Sequence, residues 1–247
     1  MKKNTTILML IVLALSLATL ACGVNISAPH MVRGNGDMTE ESREIGSFDK
    51  IDFQGVGNLY VTLGEQESLS IKAEENLLDY LETYVQGNRL VLKIKDGYNI
   101  NPTETVNFYL TAISLESVSV SGLGNIELPE IEANQFSVDL SGAGDIEIES
   151  LVAERFVANL SGLGNLNVDD GKVFSQDIQI SGSGKYDAGD LESDEANIEI
   201  SGLGSAIVFV NNYLDVSISG AGGVDYYGNP EIDQSISGLG DLDKLDD

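Results

Sequence analysis

Residues 118–128 read VSVSGLGNIEL, residues 138–148 VDLSGAGDIEI and residues 158–168 ANLSGLGNLNV. The frame returns at 178–188 as IQISGSGKYDA and at 198–208 as IEISGLGSAIV, so five copies stand 20 residues apart. Two more, Ser219-Gly220-Ala221-Gly222 and Ser237-Gly238-Leu239-Gly240, follow at a spacing of 18, and a degenerate Gln54-Gly55-Val56-Gly57 stands upstream. Within every copy the Ser-Gly-x-Gly element places two glycines one residue apart: Gly122 and Gly124, Gly142 and Gly144, Gly162 and Gly164, Gly182 and Gly184, Gly202 and Gly204, Gly220 and Gly222, Gly238 and Gly240. A fixed period of this length is the mark of a repeat architecture.

Each element is flanked by period-two alternation. Val118/Val120, Val138/Leu140, Ile178/Ile180, Ile198/Ile200 and Val216/Ile218 precede it, and Ile126/Leu128, Ile146/Ile148, Leu166/Val168 and Ala206/Val208 follow it. Alternation rich in β-branched residues is a strand with one face buried. The intervening Ser, Asp, Glu, Asn and Gln suit a wet outer face. One such unit cannot bury its apolar face alone. Stacking coil on coil, about 4.8 Å apart, turns the column Val120, Leu140, Leu160, Ile180, Ile200, Ile218, Ile236 into a continuous interior ladder. A parallel column runs Val118, Val138, Ala158, Ile178, Ile198, Val216 and ends at Gln234, where the stack reaches solvent. The paired glycines are expected as structural residues at a bend where a neighbouring coil comes close or φ is positive. The last coils are expected to lose their two residues from a connecting turn. These features predict an all-β chain, a single-stranded right-handed parallel β-helix with 18–20-residue coils. An antiparallel sandwich or barrel explains the alternation but not the constant return of one corner.

Residues 48–110 carry weaker period. Strands are expected around 51–53, 59–63, 69–73, 90–94 and 106–110, with a helical turn over 74–81 and a loop at 96–103. This stretch reads as first coils elaborated into an irregular N-terminal cap that merges with the solenoid, since an exposed coil edge invites aggregation.

The 247-residue chain holds 40 Asp and Glu against 13 Lys and Arg, a formal net charge of −27. That field repels nucleic acid and anionic headgroups and would hold calcium loosely. Hydrophobic residues make up 42%, in alternating runs, which argues against disorder. Lys2 and Lys3 precede the apolar run Ile7–Leu15 and a small-residue exit at Ala21-Cys22-Gly23. This order is a secretory signal, too short for a permanent span. Leu20-Ala21-Cys22 resembles a bacterial lipobox, with Thr19 where leucine is usual. The resemblance implies cleavage before Cys22, acylation of that cysteine and an envelope anchor, and Gly23 implies the outer membrane. The expected plan is therefore a signal peptide at 1–21, a flexible tether at 22–47, the body at 48–240 and an acidic tail at 241–247.

Phe53-Gln54-Gly55-Val56-Gly57-Asn58-Leu59-Tyr60-Val61, Ala73-Glu74-Glu75-Asn76-Leu77-Leu78 and the Ser-Gly-x-Gly-(Asn/Asp) strands resemble the head GIN domain family of putative auto-transporter adhesins. The resemblance spans about residues 48–240. It implies a β-helical fold and an envelope location, and brings no catalytic residues. The position after the second glycine departs from Asn/Asp at Lys185, Ser205 and Gly223.

Candidate sites are sparse. Gly220-Ala221-Gly222-Gly223 is flanked by strands, whereas a dinucleotide fingerprint needs a following helix. Gly142-Ala143-Gly144-Asp145 has a hint of a calcium β-roll, but the period is 20 and not nine. His30 is the single histidine. No metal or cofactor site is expected. The carboxylates Asp169, Asp170, Asp187, Asp190, Glu192, Asp194 and Glu195 offer pairs of the kind a glycan-cleaving enzyme needs, with no His, Arg or Cys beside them. Tyr213, Tyr226 and Tyr227 are candidate contacts for a protein or glycan partner. The expected function is a non-catalytic envelope lipoprotein presenting an acidic solenoid surface for adhesion, binding or scaffolding. The alternatives are a carbohydrate-active β-helix enzyme and a periplasmic signalling or stress module.

Overall fold

The protein is seen in a computed structural model that describes residues 29–246; the segment expected to be a signal peptide, and Cys22, lie outside the described residues. The repeats form a stack of parallel coils. The strand Ile126–Leu140 lies beside Ile146–Leu160 with a constant offset of 20, pairing Ile126 with Ile146, Phe136 with Phe156 and Leu140 with Leu160. Leu160 pairs with Ile180, Ile180 with Ile200, Ile200 with Ile218, and Ile218 with Ile236. The second column follows the same path to Gln234. Both columns are buried until Gln234 and Ile236. Each buried Leu or Ile contributes about 1.5–3 kcal/mol of transfer free energy, and repetition makes that gain additive along the axis.

Even the bends are hydrogen-bonded from coil to coil. Ser161 N–H and Gly162 N–H both donate to the Leu140 carbonyl at 2.9 and 3.2 Å, and Leu163 N–H donates to the Gly142 carbonyl at 3.1 Å. This contact is what requires glycine. A Cβ on Gly162 would stand 2.0 Å from the Gly142 carbonyl oxygen, and one on Gly182 2.0 Å from that of Gly162. The serine of the motif also reaches across coils: the Ser141 hydroxyl donates to the Val120 carbonyl at 3.3 Å.

The shorter late coils lose residues at a corner between two strand legs. Ala188 pairs with Val208 and Glu192 with Phe209, so the three residues 189–191 have no counterpart. One residue is regained between Val210 and Tyr213, where two residues answer Asp194 alone, leaving a net loss of two. The interior changes too. Phe136 and Phe156 stack at 6.1 Å, and the column then continues with Gln176, which accepts a hydrogen bond from the buried Tyr186 hydroxyl at 2.5 Å. Burial pushes the Tyr186 phenol well up from its ordinary value, with Asp187 adding to the shift.

The cap is not laid down in chain order. Lys50–Gln54 and Asn58–Leu63 form one coil, and Gly55 and Gly57 fall directly in the glycine column under Gly122 and Gly124. The next segment to pair in parallel, Arg89–Ile94 with Asn107–Ala112, goes to the outer side of that coil. The chain then returns across it, so that Ser117–Val120 joins the inner side and starts the regular stack. Antiparallel strands finish the outer end: Leu81–Gln86 on Arg89–Ile94, Ser68–Glu74 on Asn107–Ala112, and Met38–Arg43 on Ser68–Glu74. A 3-10 helix at Glu75–Tyr80 buries Leu77 and Leu78.

Two boundaries differ from the sequence reading. The span assigned to a tether carries the strands His30–Arg33 and Met38–Arg43, and residues 31–47 belong to the same compact unit as the coils. Short segments without period escape pattern reading because their partner strand supplies the order. The span assigned to a tail contains Asp241–Lys244, which pairs with Gly223–Tyr227.

Candidate binding surface

On the outer face of the cap two strands carry the same outward residues. Asn58-Leu59-Tyr60-Val61-Thr62 lies in parallel register with Asn107-Phe108-Tyr109-Leu110-Thr111. The inward residues Leu59, Val61, Phe108 and Leu110 are buried. The outward ones form ladders. The Asn58 side-chain amide donates to Asn107 Oδ1 at 3.4 Å, the two threonine hydroxyls meet at 3.3 Å, and the Tyr60 and Tyr109 rings stack at 5.4 Å with 15° between planes. Tyr109 stays 43% exposed, so the ring pair is a ledge and not core. Like residues align because parallel in-register pairing puts equal positions side by side.

The ledge continues into a row of carboxylates. Glu127 pairs in register with Tyr60, and Glu147 with Glu127. Tyr60, Thr62, Glu127, Pro129, Glu147 and Asp169 line an open groove of about 430 Å³. Asp169, by its charge and its hydrogen bond, raises the Glu147 pKa from its ordinary value, with burial and Glu127 adding to it. None of these three carboxylates is among the ion pairs found for the described residues. The groove therefore offers aromatic edge, hydroxyl and unneutralised negative charge together.

Of the residues singled out by sequence, Asp169 lines this groove, and the three tyrosines lie elsewhere. Tyr213 is exposed beside Asp215, Glu231 and Asp233, and burial followed by those charges raises its phenol pKa. Tyr227 stacks on Phe209 at 6.3 Å, and Tyr226 packs against the core. The carboxylate cluster is divided. Asp187 pairs with Lys185 at 2.7 Å and Glu192 with Lys172 at 3.8 Å, on different parts of the coil. Among the described residues no group of three His, Cys, Asp or Glu side chains is placed to hold a metal. The Tyr60–Tyr109 ledge escaped sequence reading, although the shared Asn-x-Tyr-x-Thr pattern signals it. Its copies stand 49 residues apart, outside the 20-residue frame.

A family model described as putative auto-transporter adhesin, head GIN domain, matches residues 47–230. The chain belongs to this family. Solved structures share the fold. A putative adhesin from Bacteroides fragilis superposes with a TM-score of 0.81 at 22% identity, covering 87% of this chain and 100% of that one. A putative lipid binding protein from Parabacteroides distasonis gives 0.70 at 25% identity, covering 87% and 100%. A putative adhesin from Parabacteroides merdae gives 0.64 at 22%, covering 88% and 100%. No curated protein matches the chain in sequence. Among the described residues no helix is long and apolar enough to cross a membrane.

Proposed function

We propose that this head GIN protein is a non-catalytic envelope lipoprotein, anchored through acylated Cys22, whose outer solenoid face binds a glycan or an envelope protein. The Tyr60–Tyr109 ledge running into Glu127, Glu147 and Asp169 carries the reading. Tyrosine edges supply amphipathic contact area at low entropic cost. Asn58, Asn107, Thr62 and Thr111 supply donors and acceptors in rows at the spacing of the coils. The carboxylates favour a partner bearing amines or guanidinium groups over an anionic polymer. The relatives named as adhesins support an adhesive role, and the packed interior of buried side chains supports a surface rather than an internal cavity as the place of contact.

The test is binding of the full chain to a glycan panel containing amino-sugar and anionic polymers, alongside cationic and neutral peptides. Tyr60→Ala with Tyr109→Ala should weaken capture about tenfold while the fold, read by circular dichroism, stays intact. Unchanged capture by that double variant would move the site away from the ledge. Turnover of an envelope glycan that disappears in Asp187→Asn or Glu195→Gln would replace the non-catalytic reading with the enzymatic one.

A further inference from the structure

The third residue of each Ser-Gly-x-Gly element points out of the stack, and along the axis it alternates in size. Leu123, Ala143, Leu163, Ser183, Leu203, Ala221 and Leu239 occupy successive coils. The leucines are exposed by 55, 70, 69 and 90%, respectively. They contribute nothing to the core, yet a large apolar group returns on every second coil. Glycines stand on both sides of each, so the small positions between leucines are open notches about one side chain deep. The structure is a comb.

A comb of this kind is complementary to itself in one orientation. We propose that two copies of this chain pair antiparallel through it, the leucines of each entering the small notches of the other. With a two-fold axis across the strip, offset by half a coil, Leu163 meets the partner copy's position 221, Leu203 its position 183 and Leu239 its position 143. Every one of these is alanine or serine. The relation is reciprocal, so the contact closes as a dimer and does not propagate. A parallel two-fold would oppose leucine to leucine.

Charge selects the same face. The chain carries a net −27, and like-charged copies repel over most of their surface. The serine and third-residue columns of the comb hold no charged residue. The column after the second glycine holds Asp145, Lys185 and Asp241 among Asn125, Asn165, Ser205 and Gly223. Area sets the strength. Seven coils at about 4.8 Å span about 29 Å, and a strip one bend wide covers roughly 400 Å² per copy. A standard interface covers about 800 Å² per copy, so this contact is weak and concentration-dependent. It strengthens with salt, because screening removes the repulsion of the acidic flanks.

Disulfide trapping on cells expressing the full chain tests the geometry. In the antiparallel dimer positions 163 and 221 of opposite copies adjoin, whereas within one chain, and between like positions of the two copies, they stand about three coils or 14 Å apart. Leu163→Cys and Ala221→Cys in one chain should give a dimer about tenfold above either single variant and above the unmodified chain, which controls for Cys22. Adding Leu203→Asp should reduce that yield, and raising the salt should increase it. Equal yield from the single variants would mean a parallel or random encounter and would overturn the pairing. So would a double variant that keeps its circular dichroism and gives no dimer. Protection of Leu163→Cys from a water-soluble maleimide without cross-linking would assign the comb to a lipid surface and reject the second copy.

Discussion

The cap and the regular coils use the same strands and the same inward residues, but they hold them by different means. In the coils each residue meets its own equivalent, so one local solution is copied: Leu140 on Leu160 on Ile180, Gly142 under Gly162 under Gly182. In the cap only one pair of strands repeats its outward residues, Asn58–Leu63 beside Asn107–Ala112, and elsewhere particular side chains do the joining. The buried Glu74 carboxylate accepts hydrogen bonds from Gly36 N–H at 2.6 Å, Thr103 N–H at 2.9 Å and the Thr103 hydroxyl at 2.5 Å. The Asn76 amide donates to the Arg33 carbonyl at 2.8 Å. One acid ties together three segments from distant parts of the sequence. A repeat tolerates almost any exposed residue and no intrusion at its bend. A cap tolerates looser backbone but depends on single contacts.

That contrast predicts a ranking. Gly162→Ala should have the largest effect, more than about 5 kcal/mol in urea denaturation, because the new methyl meets backbone that cannot move aside. The cap's Gly87 has φ +68, and an added methyl there would meet nothing within 4 Å, so Gly87→Ala should cost only about 1 kcal/mol, from the left-handed backbone alone. Equal losses at the two sites would dissolve the distinction. Leu160→Ala should cost about 2–5 kcal/mol, since fixed coils above and below prevent the cavity from collapsing.

The two perturbed glutamates sharpen the comparison, because their signs oppose. The Thr103 hydroxyl, then the backbone N–H groups, hold Glu74 below the ordinary carboxylate range against the effect of its burial. Its native value is depressed, so its stabilisation is complete above the ordinary range and is lost as pH falls through the native value. Glu74→Gln should lower the melting temperature at neutral pH and flatten the acid limb of the stability curve. Glu147, raised by Asp169, works the other way. The folded state holds that proton more tightly than the unfolded chain, so the penalty applies above the native value and disappears below it. Glu147→Gln should raise stability at neutral pH by less than about 0.5 kcal/mol, the smallest effect here, and leave acid stability unchanged. A destabilised Glu147→Gln would mean that the carboxylate has a bonding role in the fold.

Much of the body was legible in the letters alone. The columns ending at Gln234, the glycine bends and the merging cap all follow from a 20-residue period joined to a period of two. Legibility failed where period failed. Met38–Arg43 has no apolar alternation and becomes a strand only because Ser68–Glu74 offers it an edge. The Tyr60–Tyr109 ledge was missed because its two halves are neighbours in space through a coil placed out of order. The exposed leucines of the bends were in plain view as letters, yet their burial state was not.

What the sequence determined by itself is the stack, because a repeated one-sided strand has a single way to hide its apolar residues: against its own copies. What only the tertiary structure decided is the order of coils at the N-terminal end and the content of the outer face. Outward residues carry no burial signal of their own, and which of them come together depends on a chain path that doubles back across its first coil.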